Sequence, residues 1–461
     1  VRKYLALVLS LLFVISLAAT ASAEDKTDIT IGGKILIKGW YVKNVTGLSG
    51  SDEVPADSES HAFWHQNVNL TVDAKVADNV RGFIELETAT GTSGKSGLWY
   101  WGDQARGYDA KPNTNILIRQ AWIQYTGSGL LGMPAGIKIG HMPISLGEKQ
   151  FLNNERFGDD ALLVWVDPMK ELHVAAGTVK LNEGNLMQHW DDLDGYVLLM
   201  TYMLDKDNTV GANWVWAHSD GNCPSLGTGI NVDDLNFHNV GIHGNGSIAG
   251  LTYGAEADIQ FGKLKDVLFS GENLKAKGWA AFAKLGYAMD MVNLRASFAY
   301  GSGDDNAFDS DCDEFQTLQG SDYGATARLV HYTQIYERTV RTASYASALT
   351  TTVNGNTTNT GIANTTYFNL GVDVNPMKEL SLSLDGYYLI ATETGAWEDD
   401  LGVSVDDSLG WEIDTKISYK LAKNLTYFVE AGWFKPDDFY TDIGAEDETV
   451  TQLVHGISLT F

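Results

Sequence analysis

From residue 24 to the last residue, the chain alternates apolar and polar positions with a period of two, the signature of half-buried strands. Trp411, Ile413, Thr415, Ile417 and Tyr419 share one face; Glu412, Asp414, Lys416, Ser418 and Lys420 share the other. Leu380, Leu382, Leu384 and Tyr388 oppose Ser381, Ser383 and Asp385, and Val68, Leu70, Val72 and Ala74 oppose Asn67, Asn69, Thr71, Asp73 and Lys75. Leu294, Ala296, Phe298 and Tyr300 oppose Arg295 and Ser297. Leu425, Tyr427, Val429, Ala431 and Trp433 oppose Thr426 and Glu430. Full charges on the polar face are foreign to the packed core of a soluble sandwich and ordinary for a wetted lumen.

The breaks between strands alternate in length. Short ones fall at Ala77-Asn79, Gly129-Pro134, Asp167-Lys170, Asp205-Asn208, Ile248-Gly250, Asp290-Met291, Pro376-Lys378 and Ala422-Asn424. Long ones fall near 44–62, 90–113, 143–159, 181–192, 219–234, 263–277, 302–365, 394–408 and 435–449. Short periplasmic turns and long extracellular loops are the asymmetry of outer-membrane barrels. The pattern predicts an all-β, transmembrane, antiparallel up-and-down barrel of about 18 strands, within a range of about 16 to 18. The final strand alternates too, with Leu453, His455, Ile457, Leu459 and Phe461 on the lipid side, where His455 is the one polar exception.

The first 23 residues read differently. Arg2 and Lys3 precede an apolar run from Leu5 to Leu17, and Ala21-Ser22-Ala23 has the form of a cleavage site. This is the pattern of a secretory signal peptide, too short for a spanning helix. The expected organisation is a cleaved leader over 1–23 and a single barrel over 24–461.

Composition narrows the function. With 59 acidic and 32 basic residues the formal charge is −27, which excludes the basic face that nucleic-acid binding requires. With only Cys223 and Cys312, a Cys₄ zinc site and a CxxCH haem attachment are excluded. Neither G-x-S-x-G nor H-E-x-x-H occurs, and no spacing singles out a catalytic triad, so an enzyme is not expected.

Three groups of segments resemble the alginate-export family of outer-membrane porins. They are Leu117-Ile118-Arg119-Gln120-Ala121-Trp122, leading to Ile137-Lys138-Ile139-Gly140-His141 and Leu146-Gly147-Glu148; Ala299-Tyr300-Gly301-Ser302-Gly303-Asp304-Asp305; and Gly410-Trp411-Glu412-Ile413-Asp414, followed by Ser418-Tyr419-Lys420-Leu421 and Trp433-Phe434-Lys435-Pro436-Asp437-Asp438-Phe439. They are similar to that family's mid-barrel strand, a strand end and its last two hairpins, and they run in order over most of the chain. The resemblance implies a monomeric or loosely associated pore in the cell outer membrane, surrounded by lipid and lipopolysaccharide. The family includes polysaccharide exporters and porins of unknown substrate. A polyanion exporter needs a route lined by Arg and Lys, whereas the long loops here hold most of the negative charge.

Assigning charges inward by phase gives Lys34, Lys38, Lys75, Arg81, Arg119, Lys138, Lys284, Arg295, Lys416 and Lys420 as pore-lining bases. The acids are Asp73, Glu85, Glu87, Asp258, Asp385, Glu412, Asp414 and Glu430. Opposed charges on facing walls tune ion selectivity, and cross-strand pairs that only keep the interior wet are the plainer role. Arg119 is out of phase with Gln120 and Gln124, which calls for a bulge. The 302–365 loop is too long for a simple connection. It is expected either to constrict the lumen, with Arg328, Arg338 and Arg341 as contacts, or to form an external lid. Its Asp304, Asp305, Asp309, Asp311 and Asp313 could hold Ca²⁺ or Mg²⁺ loosely, but Glu314 and Gly320 occupy the wrong positions for an EF-hand. Cys223 and Cys312 fall in separate loops on the oxidising side and are a disulfide candidate. Trp40, Tyr41, Trp64, Trp99, Trp101, Trp214, Trp216, Trp279, Tyr388, Trp411, Tyr419 and Trp433 are expected as interfacial girdles, with a sugar-stacking track as the alternative.

The function expected from these features is passive diffusion of small hydrophilic solutes or ions, with acidic loops favouring cations. The alternatives are a transporter of polysaccharide or of a specific solute, and a barrel sheath for an electron conduit whose haems would come from multihaem cytochrome partners. No resident cofactor is expected.

Overall fold

A strand with one face in lipid has to pair both edges, because an unpaired backbone group costs several kcal/mol there. The computed structural model describes residues 27–44, 60–90, 99–101, 114–129, 132–155, 158–183, 192–219, 223–224, 231–232, 235–265, 273–306, 308–319, 332–340, 343–344, 359–445 and 447–461. Eighteen of its strands pair antiparallel in chain order. They are β1 (Asp28–Lys43), β2 (Ser60–Ala77), β3 (Val80–Thr90), β4 (Thr114–Gly127), β5 (Ala135–Met142), β6 (Asp159–Met169), β7 (Leu172–Asn182), β8 (Leu193–Met203) and β9 (Thr209–His218). The second half comprises β10 (Asn236–Ile248), β11 (Leu251–Lys265), β12 (Trp279–Met289), β13 (Val292–Gly301), β14 (Thr365–Met377), β15 (Leu380–Ala391), β16 (Ser408–Ala422), β17 (Leu425–Pro436) and β18 (Val450–Thr460). The last strand returns to the first, Lys34 opposite Thr460 through Lys43 opposite Thr451, so the sheet closes without an edge. The expected closed barrel is the fold.

At one end the connections are tight. Ala249 (φ 52°), Asp290 (φ 51°) and Asn424 (φ 62°) take the left-handed conformation that two-residue hairpins demand. At the other end nine long loops, L1 to L9, join the strands; L3 spans 143–158 and L7 spans 302–364. Helices α1 (Gly395–Leu401) and α2 (Asp438–Asp442) lie in L8 and L9. Among the described residues no helix is long and apolar enough to cross a membrane.

The outward faces are apolar and bare: Leu370 is 74% exposed, Ile116 69% and Ile31 66%. Such a continuous belt is what lipid covers. Towards the long-loop end, aromatic rings ladder across the outside, with Tyr196 on Trp216 at 4.9 Å, His238 on Phe261 at 4.9 Å and Trp411 against Trp433 at 4.4 Å. His455, midway along β18, joins these outward rings. Trp64 meets its ring edge-on at 4.8 Å, Trp101 stacks on Trp64 at 5.2 Å, and Tyr427 Oη lies 3.1 Å from its Nδ1. Trp40 is a correction to the girdle expected above. It opposes Phe63, faces inward, is buried and stacks on Phe63 at 6.0 Å, because on β1 it shares the inward phase of Lys34, Leu36 and Lys38. The side chain of Trp99 lies outside the described residues.

Candidate pore lining and constriction

The charges on the inner wall are held mostly as pairs across neighbouring strands. Arg81 grips Asp73 with Nε–Oδ1 at 2.8 Å and Nη2–Oδ2 at 2.6 Å, and Lys416 reaches Glu430 at 2.6 Å. Arg295 donates to Asp373 at 2.8 and 2.9 Å, to Asp385 at 2.8 Å and to the Ser383 hydroxyl at 2.8 Å. This fork passes over Gly371, where a Cβ would collide with the Asp385 carboxylate and come 3.0 Å from the Arg295 guanidinium carbon. Glu85 and Glu87 accept from the amides of Asn69 (2.9 Å) and Asn67 (2.7 Å). Lys75 turns instead to Asp78 in the first short turn, at 2.6 Å.

The register of β3 against β4 slips between Glu85 and Leu86, leaving Arg119 as the extra residue. Gln120 therefore opposes Glu85, and Arg119 reaches the same carboxylate at 2.8 Å while Gln120 reaches it at 2.6 Å. Lys138 lies over the Trp122 ring at 4.0 Å, and Lys38 over Trp40 (5.5 Å) and Phe428 (5.7 Å). Lys34 is exposed, makes no ion pair among the described residues, and lies within electrostatic reach of Arg119 and Lys416.

In the lumen pairs formed across neighbouring elements the base is more exposed than its acid. Side-chain exposure is 51% for Lys284 against 7% for Glu148, 51% for Lys416 against 10% for Glu430, and 21% for Arg119 against 7% for Glu85. Inward-pointing lysines half open to solvent require space for water around them. In these three pairs the bases therefore present more of their surface to the lumen than the acids do.

L3 folds into the barrel. Its Ile144, Leu146, Phe151 and Leu152 are buried, with Phe151 against Phe237 at 6.2 Å and Phe315 at 6.4 Å, on a side of the wall whose inward residues include Ala161, Val179, Val197 and Val215. Gly147 (φ 53°) and Lys149 (φ 71°) turn the chain so that the Glu148 N–H donates to the Glu256 carboxylate on β11. The Glu148 side chain pairs with Lys284 on β12 and accepts from Asn245 at 3.0 Å, and on the other flank Arg119 donates to the Glu155 carbonyl at 2.9 Å. L3 is thus tied to β4 and to β10–β12.

L7 enters beside it. Leu318 opposes Leu152 of L3, and Gln316 exchanges hydrogen bonds of 2.7 and 2.8 Å with Gln260 on β11. Further on, the Glu412 carboxylate accepts from Ile335 N at 2.6 Å and Tyr336 N at 2.9 Å, and Asp414 accepts from Gln334 N at 2.9 Å. Tyr332 stacks on the inward Tyr367 at 4.6 Å. Of the expected loop arginines, Arg328 and Arg341 lie outside the described residues. Arg338 sits in the turn of π-helix Tyr336–Val340, its side chain undescribed.

The five loop aspartates separate into two groups. Asp304, Asp305 and Asp313 bring carboxylate oxygens within 4.8 Å of one another. Asp311 instead pairs with Lys277 and Lys275, and Asp309 caps the Asp311 N–H at 2.7 Å. Burial, reinforced by the charges of Glu314, Asp313 and Asp309, pushes Asp304 up to about 7. The candidate disulfide is not made: Cys312 is a free, buried thiol whose pKa burial pushes up. It is held by the parallel pairing of residues 311–312 with 275–276 in L6, while Cys223 pairs with Val232 in L5.

Sequence reasoning missed Glu148, Glu155, Glu256 and Asp373. Asp373 and Glu256 were legible, since each alternates with apolar neighbours on its strand; the loop glutamates left no periodic signal. The alternation marks 143–159 only as a connection.

The alginate-export family model matches residues 163–452. No curated protein matches the chain. Among solved structures, Pseudomonas aeruginosa OccK2 (OpdF) is similar with a TM-score of 0.55 at 11% identity, covering 94% of this chain and 98% of that one. OccK9 (OpdG) of the same organism gives 0.55 at 11%, covering 94% and 99%. A BenF-like porin from Pseudomonas fluorescens Pf-5 gives 0.53 at 11%, covering 94% and 98%. At such identities the likeness is one of fold.

Proposed function

Because this chain belongs to the alginate-export family of outer-membrane barrels, we propose that it is a passive channel for small hydrophilic solutes bearing an acidic group. The wall closes the backbone against lipid, and the described parts of L3 and L7 are fastened to the inner wall. The observation that carries the reading is the unequal exposure within the lumen ion pairs, with Lys284, Lys416 and Arg119 more open than their acids, together with the exposed Lys34, which makes no ion pair among the described residues. The acidic loops favour cations at the mouth, but in a pore the field at the narrowest depth dominates selection. L3 crosses where Arg119 and Lys284 hold it, and there the bases are more open to a passing solute than the acids they pair with.

Reconstitution in planar bilayers under a KCl gradient tests this. The reversal potential should show anion preference that weakens as salt screens the wall. A cation-preferring potential would return the reading to the acidic mouths, and block of current by an oligosaccharide at low concentration would favour a polymer or specific-solute transporter. Copurification of multihaem cytochromes, with negligible conductance alone, would favour the conduit sheath.

A further inference from the structure

Behind L3 the wall holds two acids that no described base neutralises. Glu256 (4% exposed) and Asp258 (2%) stand two residues apart on β11, face inward, and lie within hydrogen-bonding reach of each other. Lys284, the neighbouring base, is engaged by Glu148. Glu256 receives the Glu148 N–H, with the Gln150 N–H also directed at its carboxylate, and Asp258 the Asn239 amide at 2.8 Å, yet Glu256 Oε1 and Asp258 Oδ2 have no well-formed hydrogen bond among the described residues. Two neighbouring buried carboxyls, each with an acceptor atom that lacks a partner, need a proton or a metal ion to offset their charge, since an uncompensated buried charge is strongly unfavourable.

A second observation separates these two. Asn213 on β9 is 4% exposed, and neither atom of its amide has a hydrogen-bond partner among the described residues. Gly241 on β10 stands between Asn213 and Asp258 in register, and the space its missing Cβ leaves is shared by both side chains. A Cβ there would meet the Asp258 carboxylate and lie 2.8 and 3.0 Å from Asn213 Nδ2 and Oδ1. A shared proton would join the carboxyls but leave this buried amide orphaned, at a cost of about 1–3 kcal/mol per group. A cation takes the amide oxygen as a further ligand.

We propose that Glu256, Asp258 and Asn213 form a binding site for a hard divalent cation of the Ca²⁺ type, which fastens L3 to the wall. The donor set is all oxygen, two of the three groups are anionic, and water completes the coordination that Ca²⁺ prefers. Because Glu256 also holds the Glu148 N–H, occupancy stiffens the turn that narrows the lumen.

The test is calorimetric titration of Ca²⁺ into the full-length barrel, stripped with EDTA in detergent, with folding of every variant checked by heat-modifiable mobility. Wild type should bind Ca²⁺ saturably. Asp258→Asn should weaken binding by about tenfold or more, and Asn213→Asp, which supplies a third carboxylate, should tighten it by about tenfold. Asp305→Asn in L7 serves as the control and should leave this site's affinity unchanged. No saturable binding in wild type, or affinities that neither Asp258→Asn nor Asn213→Asp moves, would overturn the proposal. Neither result alters the reversal-potential test of selectivity.

Discussion

Tyr427 Oη and His455 Nδ1 meet at 3.1 Å on the outer face of β17 and β18, so the one polar ring on the last strand's lipid side has its partner on the neighbouring strand. A lone imidazole facing lipid would bury an unsatisfied nitrogen; beside Tyr427 and under Trp64 it acts as one more amphipathic outward ring. Tyr427→Phe should destabilise the barrel by about 1 kcal/mol, and His455→Leu in that background should recover most of it. Urea titration of the folded band in lipid vesicles measures both, and equal losses in the single and double variants would refute the pairing.

Arg119 links Glu85 on the wall to the Glu155 carbonyl in L3. Arg119→Ala should loosen that flank of the loop, giving larger and noisier single-channel currents with a weaker anion preference. Arg119→Lys, which cannot span both acceptors with one fork, should give an intermediate record. Currents identical to wild type in both would show that this tie does not hold the constriction.

Glu412 satisfies two consecutive backbone N–H groups of L7. In Glu412→Ala both donors lose their acceptor inside the lumen, at a cost of about 1–3 kcal/mol each. L7 should then be cut faster by an added protease while the barrel band stays intact, and conductance should become bistable. Unchanged cleavage would place the anchoring of L7 elsewhere.

Asp304 gives the base of L7 a pH dependence. Its folded pKa, raised to about 7, exceeds the unfolded carboxyl value of 3.8, so protonation favours the folded loop. That contribution is complete below about pH 4 and is lost as pH rises through about 7. Amide protection factors around residues 302–316, corrected for intrinsic base-catalysed exchange, should be higher at pH 5 than at pH 8, and Asp304→Asn should flatten the difference. An identical pH response in the variant would assign it to another group.

Alternation made the barrel legible because lipid and lumen impose opposite demands on successive side chains, which a strand cannot hide. It placed Asp385, Glu412 and Lys416 on the inner wall together. It was ambiguous at Arg119, where a single inserted residue lets Arg119 and Gln120 serve one acid. It failed at Trp40, whose amphipathic ring suits a girdle equally well, and only its phase beside Lys38 sends it inward. Loops carry no period, so the tie from Glu148 to Lys284, between residues far apart in the chain, left no local trace.

The seam between β1 and β18 also constrains how the molecule is made. Asn44 donates to the Thr449 carbonyl 405 residues away, just beyond the paired stretch. Until β18 arrives, the opening strand has a bare flank ready to stick to any passing chain. Biogenesis must therefore shelter that flank throughout synthesis and transit, and the latch between the two ends should be the last part to form and the first through which a damaged copy unzips.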